Sequence, residues 1–134
     1  MESVIIVAPP DYEAALRKRL QQVHAVISET AAGGIALDGG NSRVYIHRDG
    51  VVRDELEPDR LASVDRRIPN PAFYAVDFSD IAFCRLVLEA VADDETVLVD
   101  NDHGVVLTGR EFIRLMRVRV PIGTGAWRRL RSTR

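Results

Sequence analysis

The sequence is poor in sulfur, with one cysteine, Cys84, and two methionines among 134 residues. A single cysteine cannot form an intrachain disulfide, and a zinc site built from several cysteines is excluded as well. Cys84 lies among apolar residues that recur with helical spacing. We therefore interpret its thiol as a small buried hydrophobic group rather than as a nucleophile.

Long hydrophobic runs are missing as well. The unbroken apolar runs are only a few residues long, whereas a helix that spans a bilayer needs about 20. The first residues, MESVIIVA, show no basic start, no long apolar core and no cleavage site of a secretory signal. We therefore expect a cytoplasmic protein that does not contact the membrane. Hydrophobic residues make up 46% and charged residues 28% of the chain, a balance typical of a globular domain.

Sequence signatures of catalysis are absent too. The chain contains no G-x-S-x-G motif of a serine nucleophile. Its glycine-rich segments, AAGG and DGGNS, are interpreted as turns, since neither opens a helix as a phosphate-binding loop must. His24, His47 and His103 lie on separate predicted elements, without the close spacing of paired metal ligands. We expect no enzymatic activity, no cofactor and no metal ion.

The charge is distributed unevenly along the chain. Residues 109–134 carry eight arginines and one acid, a formal charge of +7, whereas the preceding residues carry −9. We expect a single α+β domain over residues 1–120 and a basic, mobile tail over residues 121–134. One interpretation of the tail is a nucleic-acid contact, in which the Trp127 indole stacks on a base and the neighbouring arginines contact phosphates. We favour a solubilising tail, because the negative body would repel a polyanion.

Hydrophobic patterning predicts the same order of elements in residues 4–39 and in residues 74–109. In each segment a strand is followed by a helix and then by two strands. We interpret these segments as two βαββ units in a mostly antiparallel sheet, with two or three helices packed on one face. Residue identity between the halves is slight, so a chance alternation of short elements is the alternative. Asp11 is the predicted cap of the first helix, and Ser79 or Asp77 that of the second.

Between the two units, residues 43–54 have the pattern of a hairpin. Asp49-Gly50 would supply the two left-handed positions of a type I′ turn between strands RVYIHR and VVRD. Further along, Pro58 is suited to the first position of a short helix.

The segment VLVDNDHGVVLTGREF, residues 97–112, holds the densest group of polar residues. A calcium loop that began at Asp100 would place Asp102 and Glu111 at ligand positions, but it would have glycine and valine where an oxygen ligand and a glycine are required. Thr108 and Glu111 instead match a capping box ahead of a final helix. We interpret the segment as a polar turn followed by a capped helix.

Acidic residues gather at the ends of the predicted elements in the second half of the chain. A solvated edge that resists aggregation is one interpretation of this group, and a docking surface for a basic partner is the other. The predicted partner-binding residues are Asp77, Asp80, Asp93, Asp94, Glu95, Asp100, Asp102 and His103.

Residues 73–116 resemble the C-terminal region of small bacterial immunity-type proteins. The resemblance rests on VDNDHG at residues 99–104 and on TGREF, a helix start, at residues 108–112. It implies a non-catalytic protein that binds and neutralises a cognate toxin, often a nuclease with a basic cleft. The acidic patch, led by Asp100 and Asp102, would then occlude the toxin's active site.

Two other functions remain open at this stage. One is a small metal-dependent hydrolase built around Asp77, Asp100, Asp102 and His103. The other is a regulatory module that associates with itself through a sheet edge, using the VVR strand predicted after Asp49-Gly50. The sequence leaves open whether the protein is a monomer or a homodimer.

Overall fold

The computed structural model describes residues 1–101 and 106–119, and of residues 118 and 119 only the backbone. Asp102, His103 and the predicted tail lie outside the described residues. The strands are β1 (Glu2–Ala8), β2 (Val26–Glu29), β3 (Ile35–Asp38), β4 (Arg43–Arg48), β5 (Ala72–Phe78), β6 (Leu98–Asp100) and β7 (Val106–Thr108). The helices are α1 (Glu13–Leu20), α2 (Val52–Glu55), α3 (Pro58–Arg67), α4 (Ile81–Val91) and α5 (Gly109–Arg119).

The strands form one sheet in the order β2-β3-β4-β5-β1-β6-β7, and all neighbouring pairs are antiparallel. Its centre is the pair β1–β5, which runs over seven residues from Glu2 opposite Phe78 to Ala8 opposite Ala72. This architecture confirms the predicted α+β class with an antiparallel sheet. The described residues form five helices, where the sequence predicted two or three.

The element order also contains the predicted βαββ arrangement twice. The first unit is β1–α1–β2–β3 and the second is β5–α4–β6–β7. β4, α2 and α3 lie between them in the chain, and β4 pairs with β5 in the sheet. The hairpin β6–β7 of the second unit pairs with β1 of the first, so the two units share one sheet.

One face of the sheet carries the larger hydrophobic core. Val4 and Ile6 of β1 are fully buried there, and α1, α4 and α5 cover them with residues such as Leu16, Leu88 and Phe112. α4 is apolar around most of its circumference, although Leu86 is exposed. None of the helices in the described part of the chain is long and apolar enough to cross a bilayer.

The opposite face carries a second, smaller core under α2 and α3. Val7 of β1 and Phe73 of β5 pack there against Val52 of α2 and Val64 of α3. The prediction that the helices lie on one face was therefore wrong. The sequence of β1 explains this result. A strand that is covered on both faces must present apolar side chains to both, and β1 is a continuous apolar run.

The predicted hairpin after β4 is a second correction. Neither Asp49 nor Gly50 adopts the left-handed conformation that a type I′ turn requires. Instead, the Asp49 carboxylate accepts a hydrogen bond from the Val51 N–H at 2.9 Å, and the chain enters α2. β4 already pairs with β3 on one side and β5 on the other, so a local partner strand has no edge to join. The self-association hypothesis thereby loses the strand on which it relied.

The helix caps were predicted with mixed success. The capping box is confirmed, because Glu111 N–H donates to Thr108 Oγ1 at 3.1 Å and Thr108 N–H donates to Glu111 Oε1 at 3.3 Å. Pro58 occupies the first turn of α3, as predicted. The cap of α4, however, is Asp80, which accepts from the Ala82 N–H at 3.1 Å.

The error at Asp77 follows from the direction of its side chain. Asp77 belongs to β5, where alternation along the strand turns its side chain to the face opposite α4. Asp11 was also predicted wrongly. The N-cap of α1 is Tyr12, and no described side chain caps it by a hydrogen bond.

Gly109 holds the start of α5 against the end of α4. Its N–H donates to the Val97 carbonyl at 2.9 Å, and a Cβ at this position would lie 1.8 Å from the carbonyl oxygen of Ala92. Because that neighbour is backbone, it cannot rotate away. Close contact between the two helices therefore requires glycine at this position.

The substitution Gly109→Ala is expected to lower the free energy of unfolding by about 3 kcal/mol or more, because the new methyl group overlaps backbone. Gly50→Ala is the matched control, since a Cβ there meets nothing within 4 Å and the backbone is not left-handed. Urea unfolding of both variants measures the difference. Equal stabilities would contradict the close approach of α5 to α4.

Candidate functional site

The predicted partner-binding residues lie in separate places. Asp93, Asp94 and Glu95 form the connection between α4 and β6, at the end of the sheet where β6 begins. Asp77, Asp80 and Asp100 lie at the opposite end, because β5 and β6 both run antiparallel to β1. Asp102 and His103 lie outside the described residues.

The three acids after α4 are engaged by arginines of the same domain. Arg110 lies 3.6 Å from Asp93 and 3.7 Å from Glu95, and Arg19 lies 3.4 Å from Asp94. Arg19 also sits over the ring of Tyr12, 5.5 Å from its centroid. These acids therefore connect α1, the α4–β6 connection and α5, and much of their charge is matched locally.

Asp94 has a structural role in this group. Its carboxylate accepts from the Thr96 N–H at 2.7 Å, and this hydrogen bond, aided by Arg19, holds the pKa of Asp94 below its usual value against the opposing effect of burial. A lowered pKa in the folded state means that ionised Asp94 stabilises the fold above its unfolded pKa. The stabilisation is lost as the pH falls through the folded value.

Asp80 is likewise engaged in the fold. Besides capping α4, it accepts a hydrogen bond from Ser42 Oγ at 3.1 Å. It also lies near Cys84, whose thiol is completely buried. Burial, and secondarily the Asp80 carboxylate, raises the pKa of Cys84 far above the physiological range. A thiol that stays protonated agrees with the interpretation of Cys84 as a hydrophobic group.

Asp77 and Asp100 instead face a common cleft on the side of the sheet covered by α2 and α3. Asp77 lies opposite Ser3 and Asp100 opposite Ile5, so the two acids flank β1 from its two neighbouring strands. The cleft has a volume of about 470 Å³. Ile5 and Ala75 form its apolar floor, and α2 and the start of α3 form its far wall.

The cleft is strongly acidic. Among the described residues, five carboxylates and one guanidinium group, that of Arg60, line it, which gives these residues a formal balance of −4 when His47 is neutral. Charges of one sign in a concave, partly apolar surface produce a stronger local field than the same charges spread on a convex surface. The five acids are Asp49, Glu55, Glu57, Asp77 and Asp100.

Asp77 is held by two neighbouring strands. Ser3 Oγ donates to one carboxylate oxygen at 2.5 Å, and His47 Nε2 lies 3.3 Å from the other. The carboxylate thus stands between the hydroxyl and the imidazole. In a serine-hydrolase relay the imidazole stands between the other two groups, where it can take the serine proton. The observed order positions Asp77 as an acceptor and leaves Ser3 as its donor.

Asp100 is the most enclosed acid of the cleft, with 5% of its surface exposed. Arg60 of α3 reaches it across the cleft, with Nη1 3.4 Å from Oδ2. A carboxylate in such surroundings requires pairing, because removal from water disfavours its charge. This contact ties α3 to β6, and it also places a guanidinium inside the acidic cleft.

The hydrolase hypothesis is met only in part by this geometry. Asp77 and Asp100, two of its four residues, share the cleft, whereas Asp102 and His103 lie outside the described residues. Within residues 1–101 and 106–119, no group of three or more His, Cys, Asp or Glu side chains is arranged to hold a metal ion.

The sequence reasoning missed several residues of the cleft. Ser3, His47 and Arg60 come from three segments that are far apart in the chain, so no local spacing links them. A signal was present for the acids of the far wall, since the segment RDELEPD at residues 53–59 is the densest acidic run in the first half of the chain. That segment lacked a clear periodicity, and its acids were not considered as part of a site.

Comparisons of this chain with protein-family models, with curated proteins and with solved structures find no match. Any function proposed for the protein therefore depends on the geometry and charge of its own residues.

The substitution Asp94→Asn is expected to destabilise the protein above about pH 4, the usual pKa of an unfolded aspartate, and to have progressively less effect as the pH falls below it. The reason is that the lowered pKa of Asp94 stabilises only the ionised form. Urea unfolding at several pH values measures the difference. Thr96→Ala should retain most of the wild-type pH dependence, because its backbone N–H remains. A stability gap that is constant down to low pH would contradict this role.

Proposed function

We propose that this protein is a non-catalytic binding protein that neutralises a cognate bacterial toxin by covering the toxin's basic surface. The observation that carries the proposal is the acidic cleft, in which five carboxylates and an apolar floor face one concave surface. Such a surface is complementary to a protruding segment that bears arginine or lysine. Charge complementarity of this kind accelerates association and selects the partner.

The two groups of acids differ in how many arginines of the domain lie beside them. Asp93, Asp94 and Glu95 already engage Arg19 and Arg110. Among the described residues that line the cleft, carboxylates outnumber guanidinium groups by five to one. In the proposed mechanism, a basic side chain of the toxin enters the cleft, and the body of the domain blocks access to the toxin's substrate.

One further point supports a toxin as the partner. The VDNDHG segment on which the resemblance to immunity-type proteins rests begins in β6, and its Asp100 is a wall of the cleft. The proposed site of action is the cytoplasm, where an immunity protein protects the cell that produces the toxin. A nuclease is a suitable target, because its substrate cleft must be basic to bind a polyanion.

The experiment looks for a toxin gene adjacent to the gene for this protein and measures binding to the toxin domain that it encodes. The absence of such a gene would contradict the proposal. The double variant Glu55→Gln/Glu57→Gln is expected to weaken binding about tenfold or more, mainly through slower association at low salt, since it removes two cleft charges. The control Asp54→Asn/Asp59→Asn removes two charges from the same segment that do not line the cleft. Rescue of bacterial growth during co-expression of the toxin provides a second measurement.

Equal losses of affinity in the cleft and control variants would show that general charge, and not the cleft, mediates binding. Calorimetric titration with calcium, magnesium, manganese and zinc tests the hydrolase alternative. Micromolar metal binding that Asp77→Asn abolishes, together with turnover of a substrate, would overturn a non-catalytic function.

A further inference from the structure

We propose that a second, smaller pocket, bordered by α1, the β2–β3 turn and the end of β4, binds a small carboxylate through Tyr74, Arg17 and Arg48. The pocket has a volume of about 90 Å³. This site is distinct from the acidic cleft, since none of these three side chains lines the cleft. The proposal is independent of the toxin-binding function.

One wall of the pocket is a turn with a fixed backbone. Thr30 N–H donates to the Gly34 carbonyl, and Thr30 Oγ1 accepts from the Gly34 N–H, each at 2.9 Å. Gly33 has a φ of +84°, a backbone angle that residues other than glycine rarely adopt. A Cβ at Gly34 would lie 2.9 Å from the Ile46 carbonyl oxygen, so the turn is pressed against β4. The wall is therefore formed before any ligand arrives.

Tyr74 provides the observation that points to a ligand. It is 1% exposed, and its hydroxyl has no hydrogen-bond partner among the described residues. The neighbouring Tyr12 differs, since its hydroxyl donates to the Val91 carbonyl and contacts Arg19. A buried hydroxyl without a partner destabilises a fold, so such groups are rare and usually have an explanation. An acceptor atom that enters the pocket would provide the missing partner.

The charged side chains of the pocket define the chemistry of that acceptor. Arg17 and Arg48 are donors only, and Arg17 uses one of its nitrogens for Glu29 at 3.0 Å. Burial raises the pKa of Tyr74, against the opposing effect of Arg48, so the phenol stays protonated and can donate. These three residues line one small pocket, and a lining rich in donors favours an oxyanion. Glu13, which also lines the pocket, disfavours a doubly charged ligand such as phosphate.

The size of the pocket restricts the ligand further. At about 90 Å³, the pocket accommodates only a small chemical group. A carboxylate group with a short carbon chain fits this space. The same chemistry is found in a free small acid and in the C-terminus of a peptide, and the experiment distinguishes these two sources.

The experiment titrates the full chain with acetate and with N-acetylglycine at constant ionic strength, followed by nuclear magnetic resonance. Acetamide and N-acetylglycinamide are the neutral controls of matched shape. Carboxylates are expected to shift the amide signals of the Thr30–Gly34 turn and of β4 in a saturable manner, and the amides are expected not to. Tighter binding of N-acetylglycine would indicate a peptide C-terminus, and equal binding would indicate a free acid.

Two variants and one control test the assigned residues. Tyr74→Phe and Arg48→Gln are each expected to weaken carboxylate binding at least tenfold, whereas Arg43→Gln, on the same strand and paired with Asp38, is expected to leave it unchanged. Tyr74→Phe removes a hydroxyl that has no partner among the described residues, so its thermal midpoint should equal or exceed that of the wild type. The midpoint therefore shows whether a loss of binding reflects unfolding.

Three outcomes would overturn the proposal. The first is the absence of saturable shifts with either carboxylate. The second is equal binding by the wild type and by Tyr74→Phe or Arg48→Gln, which would make the effect a general response to anions. The third is tighter binding of inorganic phosphate than of acetate. None of them bears on the acidic cleft, whose test uses other residues and a protein partner.

Discussion

The pairing of β1 with β5 is the constraint on which the other parts of the structure depend. These strands form the centre of a seven-stranded sheet, and the side chains of β1 alternate between the two hydrophobic cores. Val4 and Ile6 join the larger core, while Val7 joins the smaller one. A strand that is buried in this way tolerates polar side chains only near its ends. Ser3 and its cross-strand partner Asp77 occupy such an end, at the position where the cleft opens.

The unequal size of the two cores explains why the cleft exists on one face. Three helices of at least eight residues cover the first face, and their apolar side chains fill it. The second face is covered by α2, which has four residues, and by α3. The second face thus carries fewer helical residues than the first, and the end of the sheet next to Asp77 and Asp100 lines the cleft. The acidic segment that joins α2 to α3 then forms the opposite wall.

Local ion pairs distinguish two groups of acidic residues in the described part of the chain. Around the α4–β6 connection, Arg19 and Arg110 pair with the acids and link elements that are distant in the chain. Exposed ion pairs of this kind contribute little individually, but they fix the relative positions of helix ends. Among the described residues that line the cleft, five carboxylates accompany one guanidinium group. A negative net charge alone could not have revealed this difference.

The sequence by itself determined the features that depend on neighbouring residues. The capping box of Thr108 and Glu111, Pro58 at the start of α3 and the repeated βαββ order were predicted correctly, because caps and periodicity involve residues a few positions apart. Other features were decided only by the tertiary structure. It replaces the predicted hairpin at Asp49-Gly50 with a helix, places helices on both faces of the sheet and determines which acids lie together. β4 finds its second neighbour in β5, about 30 residues further along, and that pairing leaves no edge for a local strand. Likewise, Asp77, Asp100 and Glu55 share a cleft because strands and helices far apart in the chain pack together, and no local spacing encodes that packing.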